Sequence, residues 1–133
     1  MKIILSLFLL FISIFAFSES NIYTPPKGNK ERAAIMDALR KEVKYYHKID
    51  VVFKVRYLKV KNGWAWAETM PKSKDGKSNY EDINALLHNN KGVWKVKEIA
   101  CTEIETQGCL DDPNYFKDLK KKFPQMPLEI LPK

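Results

Sequence analysis

Two periods of apolar residues meet in this chain near position 48, and the change of period fixes its fold class. Between Asn29 and Tyr46 the apolar residues Ile35, Ala38, Leu39, Val43 and Tyr46 recur mostly at steps of three and four, which gathers them on one stripe of a helix. Lys30, Glu31, Asp37, Arg40, Lys41 and Lys44 turn mostly to water. Asn29 suits an N-cap, and Lys41 and Lys44 complement the negative end of the helix dipole. The spacing predicts one amphipathic helix over 29–46.

From Val51 the period falls to two. Val51, Phe53, Val55 and Tyr57 share one face of a strand, with Lys54 and Arg56 on the other. Leu58 and Val60 then carry the apolar residues at even positions, so a bulge or bend near Tyr57–Leu58 is needed to keep one face in the core. Lys61-Asn62-Gly63 predicts a tight reversal, because Asn and Gly both tolerate the left-handed backbone of a hairpin turn. Trp64–Met70 returns as the partner strand, with Pro71 expected to stop it. The polar stretch 71–80 reads as a loop or long hairpin tip. Two further strands, Asp82–His88 and Val93–Cys101, are joined across Asn89-Asn90-Lys91-Gly92.

Asp112-Pro113 predicts a short helix over 113–122 that buries Phe116 and Leu119 and ends before Pro124. Residues 125–133 are expected to lie extended against the body. The layout is α+β: a long N-terminal helix packed on a curled four-stranded antiparallel sheet, with a short C-terminal helix.

The start of the chain reads as an address. Lys2 precedes the 15 residues from Ile3 to Phe17, which are apolar except for Ser6 and Ser13. That is short of the ~20 residues a spanning helix needs. Ala16 and Ser18 occupy the small-residue positions of a cleavage site, which predicts a signal peptide over 1–18, cut after Ser18. An uncleaved anchor is the alternative. The expected divisions are then the signal peptide, an extended lead-in over 19–28 with two prolines and a glycine, and a single domain over 29–133. Cleavage would leave a formal charge of +6, one below the +7 of the full chain. Outside the cytoplasm that balance speaks against nucleic acid and for anionic envelope surfaces or plain solubility.

Several of these features coincide in a known pattern. The helix residues Arg32, Ile35, Asp37, Leu39 and Arg40, the Gly63-Trp64-Ala65 turn, and Gly92, Trp94 and Val96 of the last strand resemble a group of small exported bacterial proteins of uncharacterised function. At the level of fold they resemble the cystatin-like and nuclear-transport-factor-like α+β roll. The resemblance spans about residues 25–100 and implies a fold; that fold hosts enzymes, binding modules and inhibitors alike.

Cys101 and Cys109 are the two cysteines, and an even count in an exported protein predicts a disulfide. A C-x-x-C redox spacing is absent. His47 and His88 have no His, Cys or carboxylate two to four residues on, so no local metal motif is present and no metal or cofactor is expected. Glu98, His88 and Tyr57 are the scattered candidates for acid/base work. Glu98 shares a strand face with Trp94 and Val96 unless Val93 and Ile99 set the phase and leave it exposed. Nothing in the sequence matches a phosphate loop, a nucleophile elbow or a catalytic triad.

Trp64, Trp66 and Trp94, with Phe53 and Tyr57, either pack the core or line the mouth of the roll and stack a ligand. Trp66 is the candidate for exposure, because tryptophans and alanines alternate over 64–67. Lys54 and Arg56 would form a basic rim beside it. Trp66, Lys54, Arg56 and Tyr57 are therefore the expected binding residues. The expected function is an exported, soluble, non-enzymatic binding module, periplasmic or secreted, that takes a protein partner or envelope ligand through the outer sheet face and the 71–80 loop. A protein inhibitor or immunity factor, and a small enzyme using the roll's interior, are the alternatives.

Overall fold

Asn29 opens the first helix by accepting the backbone N–H groups of Glu31 and Arg32 on its side-chain oxygen. In the computed structural model, which describes residues 21–101 and 109–133, this helix, α1, spans Lys30–His47. It stops where Lys48 turns left-handed at φ 58° and returns its N–H to the Lys44 carbonyl. Ile35, Met36, Leu39 and Val43 form its buried stripe. Met36 belongs to that stripe and Tyr46 does not: the last turn of α1 borders a groove, leaving Tyr46 65% exposed. The predicted signal peptide and its Ser18 cleavage site lie outside the described residues.

Four antiparallel strands follow in sequence order: β1 (Val51–Lys61), β2 (Trp64–Ser73), β3 (Ile83–Asn90) and β4 (Val93–Ile99). The fold is α+β, as the period change requires. Asn62 (φ 51°) and Gly63 (φ 75°) make the first reversal with both residues left-handed. The expected bulge is present, but it falls at Arg56, since Val55 pairs with Thr69 and Tyr57 with Glu68. Phe53 and Val55 before it, and Leu58 and Val60 after it, thus all reach the α1 side of the sheet. Tyr57 is already on the opposite face, one step earlier than the sequence pattern suggested.

A second bulge lies at Lys97, between the pairs Leu87–Val96 and Leu86–Glu98. It puts Ile99 on the α1 face with Trp94 and Val96 and turns Glu98 to the other.

Strand β2 runs through Pro71 to Ser73. The Pro71 carbonyl accepts the Tyr80 N–H at 3.0 Å, on the side away from β1. In a strand, N–H and C=O of one residue point the same way, so the missing proline N–H also faces away from β1 and that ladder stays whole. The 71–80 stretch continues as a hairpin, with Lys72 paired to Asn79. Upstream, Tyr23 adds to the free edge of β1 by pairing with Val60.

Both faces of the sheet are covered. On the α1 side lie Ala65, Ala67 and Ala85, all fully buried in one core with Ile35, Met36 and Leu39 of the helix. The outer face carries Trp64, Trp66 and Leu86, packed beneath a C-terminal layer. That layer comprises a 3-10 turn at Cys109–Asp111, helix α2 (Tyr115–Lys122) and a 3-10 turn at Leu128–Ile130. Helix α2 begins two residues later than Asp112-Pro113 suggested; those residues form the turn before it, where the Asp112 carboxylate accepts the Asn114 N–H. Leu119, Met126, Ile130 and Leu131 complete the second core.

Candidate functional site

Where α1 ends, the helix and sheet diverge and leave an open groove of about 760 Å³. Its floor is apolar, with Val43, Ile83, Val96 and Pro71 among its residues. Its walls come from three elements. The last turns of α1 supply Glu42, Tyr46 and His47; the approach to β3 supplies Tyr80, Glu81 and Asp82; the end of β4 supplies Lys97 and Glu98. Tyr80 is held by its N–H to the Pro71 carbonyl, and 38% of it stays exposed.

Two of the four carboxylates are occupied. Asp82 pairs with Arg56, the residue that the β1 bulge turns outward, and Glu98 accepts from Lys122 Nζ at 2.5 Å. Glu42 and Glu81 have no ion-pair partner among the described residues. The groove therefore offers two tyrosine rings, an imidazole and two free carboxylates above an apolar floor. That set can stack and hydrogen-bond an extended polar chain. No group of three His, Cys, Asp or Glu side chains suited to a metal occurs among the described residues.

The residues singled out from the sequence are not gathered here. Trp66 is fully buried on the outer face of β2, with Phe116 edge-on at 5.4 Å and its indole N–H donated to Glu68. Both faces of β2 are core, so the alternation of tryptophan and alanine serves two packing layers, and Trp66 presents no surface in this form. Tyr57 lies under the same layer, donating its hydroxyl to the Ile130 carbonyl at 3.0 Å, and burial raises its pKa. Lys54 is exposed on β1, and Arg56 reaches the groove only through Asp82. The outer sheet face, expected to be open, is the floor of the second core.

The three acid/base candidates are apart from one another. His88 stacks against Trp64, with ring centroids 4.3 Å apart, and burial followed by the nearby Lys97 charge lowers its pKa. Glu98 serves Lys122 and Tyr115; burial and then Glu98 push the Tyr115 hydroxyl up to about 12. Cys101 and Cys109 lie within disulfide range, Cα to Cα 5.8 Å, and Cys101 is among the residues that line the groove. Of the groove residues Tyr46 and Tyr80, the first reads in the sequence as part of the helix's apolar stripe, and only Tyr80 stands as an aromatic in an otherwise polar stretch at an element boundary.

No family model, no curated protein and no solved structure matches the chain. No helix among the described residues is long and apolar enough to cross a membrane.

Proposed function

We propose that this chain is an exported, non-enzymatic binding module that takes a segment of a partner protein in the groove at the end of α1. One observation carries the reading: Tyr46 and Tyr80, exposed at 65% and 38%, flank an open concavity whose carboxylates Glu42 and Glu81 are unpaired among the described residues. Solvent-exposed aromatic rings on a rigid rim cost little entropy to immobilise and contribute much of the energy of protein recognition. An open groove with its polar groups at the rim suits a surface contact better than a reaction that must exclude water. The apolar leader and the cysteine pair support export to an oxidising compartment, periplasmic or extracellular.

Site-specific photocrosslinking in producing cells tests this. A photoreactive side chain at Tyr46 or at Tyr80 should yield the same discrete adduct, and the same group at Lys59, on β1, should not. Glu42→Lys should abolish that adduct without changing the fold. Adducts of equal yield at all three positions, or none at the groove positions, would sink the proposal.

A further inference from the structure

The exposed large apolar side chains are not scattered over the surface. Tyr45, Tyr46, Val52 and Tyr80 belong to the groove end, and Ile22, Tyr23, Val93 and Leu128 to the opposite end. At this opposite end the two hairpin tips meet, the Asn89 N–H donating to the Gly63 carbonyl at 2.7 Å. Val93 begins β4 just beyond the second tip. The Tyr23–Val60 pairing sets Ile22 beside Lys61, and the Lys61–Glu129 ion pair brings Leu128 to the same rim. Four strands and the added Tyr23 segment, spaced ~4.8 Å apart, make this rim roughly 20 Å wide.

The rim is basic as well as apolar. Lys27, Lys30 and Lys91 are exposed there without an ion-pair partner among the described residues. The carboxylates at this end are engaged, Glu31 by the Tyr23 hydroxyl and Glu129 by Lys61. Asn21 joins the rim through Ile22, and the apolar run over Ile3–Phe17 ends only four residues before it, at most about 14 Å of extended chain. Before the expected cut after Ser18, a run seated in a bilayer would hold this rim, and not the groove end, toward the membrane surface.

We propose that the hairpin-tip rim is a membrane-proximal face that docks on an anionic lipid surface. Lys27, Lys30 and Lys91 would meet headgroup phosphates while Ile22, Val93 and Leu128 enter the interfacial layer. The groove then points away from the membrane, toward a partner. This inference is independent of the groove's role, because the residues belong to opposite ends of the molecule.

Co-sedimentation of the protein isolated from producing cells tests it, with vesicles of phosphatidylcholine alone or mixed with phosphatidylglycerol. The mixed vesicles should retain the protein and the neutral ones should not. Lys91→Glu should lower the partition by about fivefold or more, since each surface cation adds roughly that factor near an anionic leaflet. Val93→Glu and Leu128→Glu should also release it, while Lys77→Glu in the loop at the groove end should have little effect. Near-ultraviolet dichroism unchanged from the parent protein would certify each variant as folded. Equal binding to both vesicle types overturns the proposal, as does equal weakening by Lys91→Glu and Lys77→Glu, which would mark a net-charge effect.

Discussion

The Tyr57 hydroxyl donates to the Ile130 carbonyl at 3.0 Å, joining residues 73 positions apart. The bond exists because the bulge at Arg56 turns Tyr57 to the outer face, while Phe53 and Val55 stay under α1. It marks where the C-terminal segment crosses β1. That segment makes no ladder with the sheet; it is held by Met126, Ile130 and Leu131 in the second core and by Lys120 Nζ on the Pro124 and Met126 carbonyls, both at 2.6 Å.

Apolar anchoring should therefore outweigh the hydrogen bond. Tyr57→Phe keeps the ring and loses one partly buried bond, a loss of about 1 kcal/mol. Ile130→Ala empties a fully buried site and should cost ~2–5 kcal/mol. Urea midpoints of the two variants give the comparison; a Tyr57→Phe loss as large as that of Ile130→Ala would contradict it.

A different constraint operates under α1. Ala65, Ala67 and Ala85 are closed to water and share one core with Ile35, Met36 and Leu39 of the helix, so a longer side chain there has to displace packed neighbours. Ala67→Leu should push α1 from the sheet and destabilise the protein by ~1–3 kcal/mol. Ala33→Leu, on the exposed surface of α1, should change stability by only a few tenths. Thermal melts of the two variants side by side measure the difference.

The sequence made α1, its Asn29 cap, the Asn62-Gly63 hairpin and the need for a β1 bulge legible, because each rests on local chemistry or on a strict period. The outer layer was much harder to read. Met126, Ile130 and Leu131 follow no period in a segment broken by Pro124, Pro127 and Pro132, so nothing local announces that they bury Trp66. An alternating Trp-Ala-Trp-Ala strand looks one-sided unless that second layer is known. Glu98 was ambiguous for a related reason: a single extra residue at Lys97 reverses its face. The groove is assembled from three element ends far apart in sequence, so Tyr46 reads as part of the helix stripe, Tyr80 as the end of a loop, and of the groove's side chains only Glu98 stands out as an acid/base candidate.

His88 supplies a pH dependence whose sign follows from its surroundings. Burial against Trp64 and the charge of Lys97 hold its pKa below the ordinary 6.5, with Lys95 directly across the strand pair. Below pH 6.5 the unfolded chain takes up the proton before the folded one does, so this site's contribution to stability declines as pH falls from 6.5 through the folded pKa. Melting temperature plotted against pH should slope less in His88→Asn than in the parent over that window. Lys97→Ala should move the His88 imidazole titration, followed by NMR, upward; an unmoved midpoint would remove Lys97 as a cause.

The cysteine pair bears on both the groove and the outer layer. Cys101 follows the buried Ala100 at the end of β4, and Cys109 begins the C-terminal layer. A bond between them, feasible at a Cα separation of 5.8 Å, ties that layer to the sheet edge. Closing a loop of nine residues is worth roughly 2.5 kcal/mol on the chain-entropy model. The protein purified without reductant should show no titratable thiol until reduced, and reduction should lower its melting temperature. Reduction should also raise acrylamide quenching of tryptophan fluorescence, because Trp64 and Trp66 depend on that layer for their burial. Two free thiols in the native protein, or a reduced form with unchanged melting and quenching, would show that the layer holds without a bridge. Cys101→Ser with Cys109→Ser should reproduce the reduced form in both measurements, since the variant lacks the bond and nothing else in the second core.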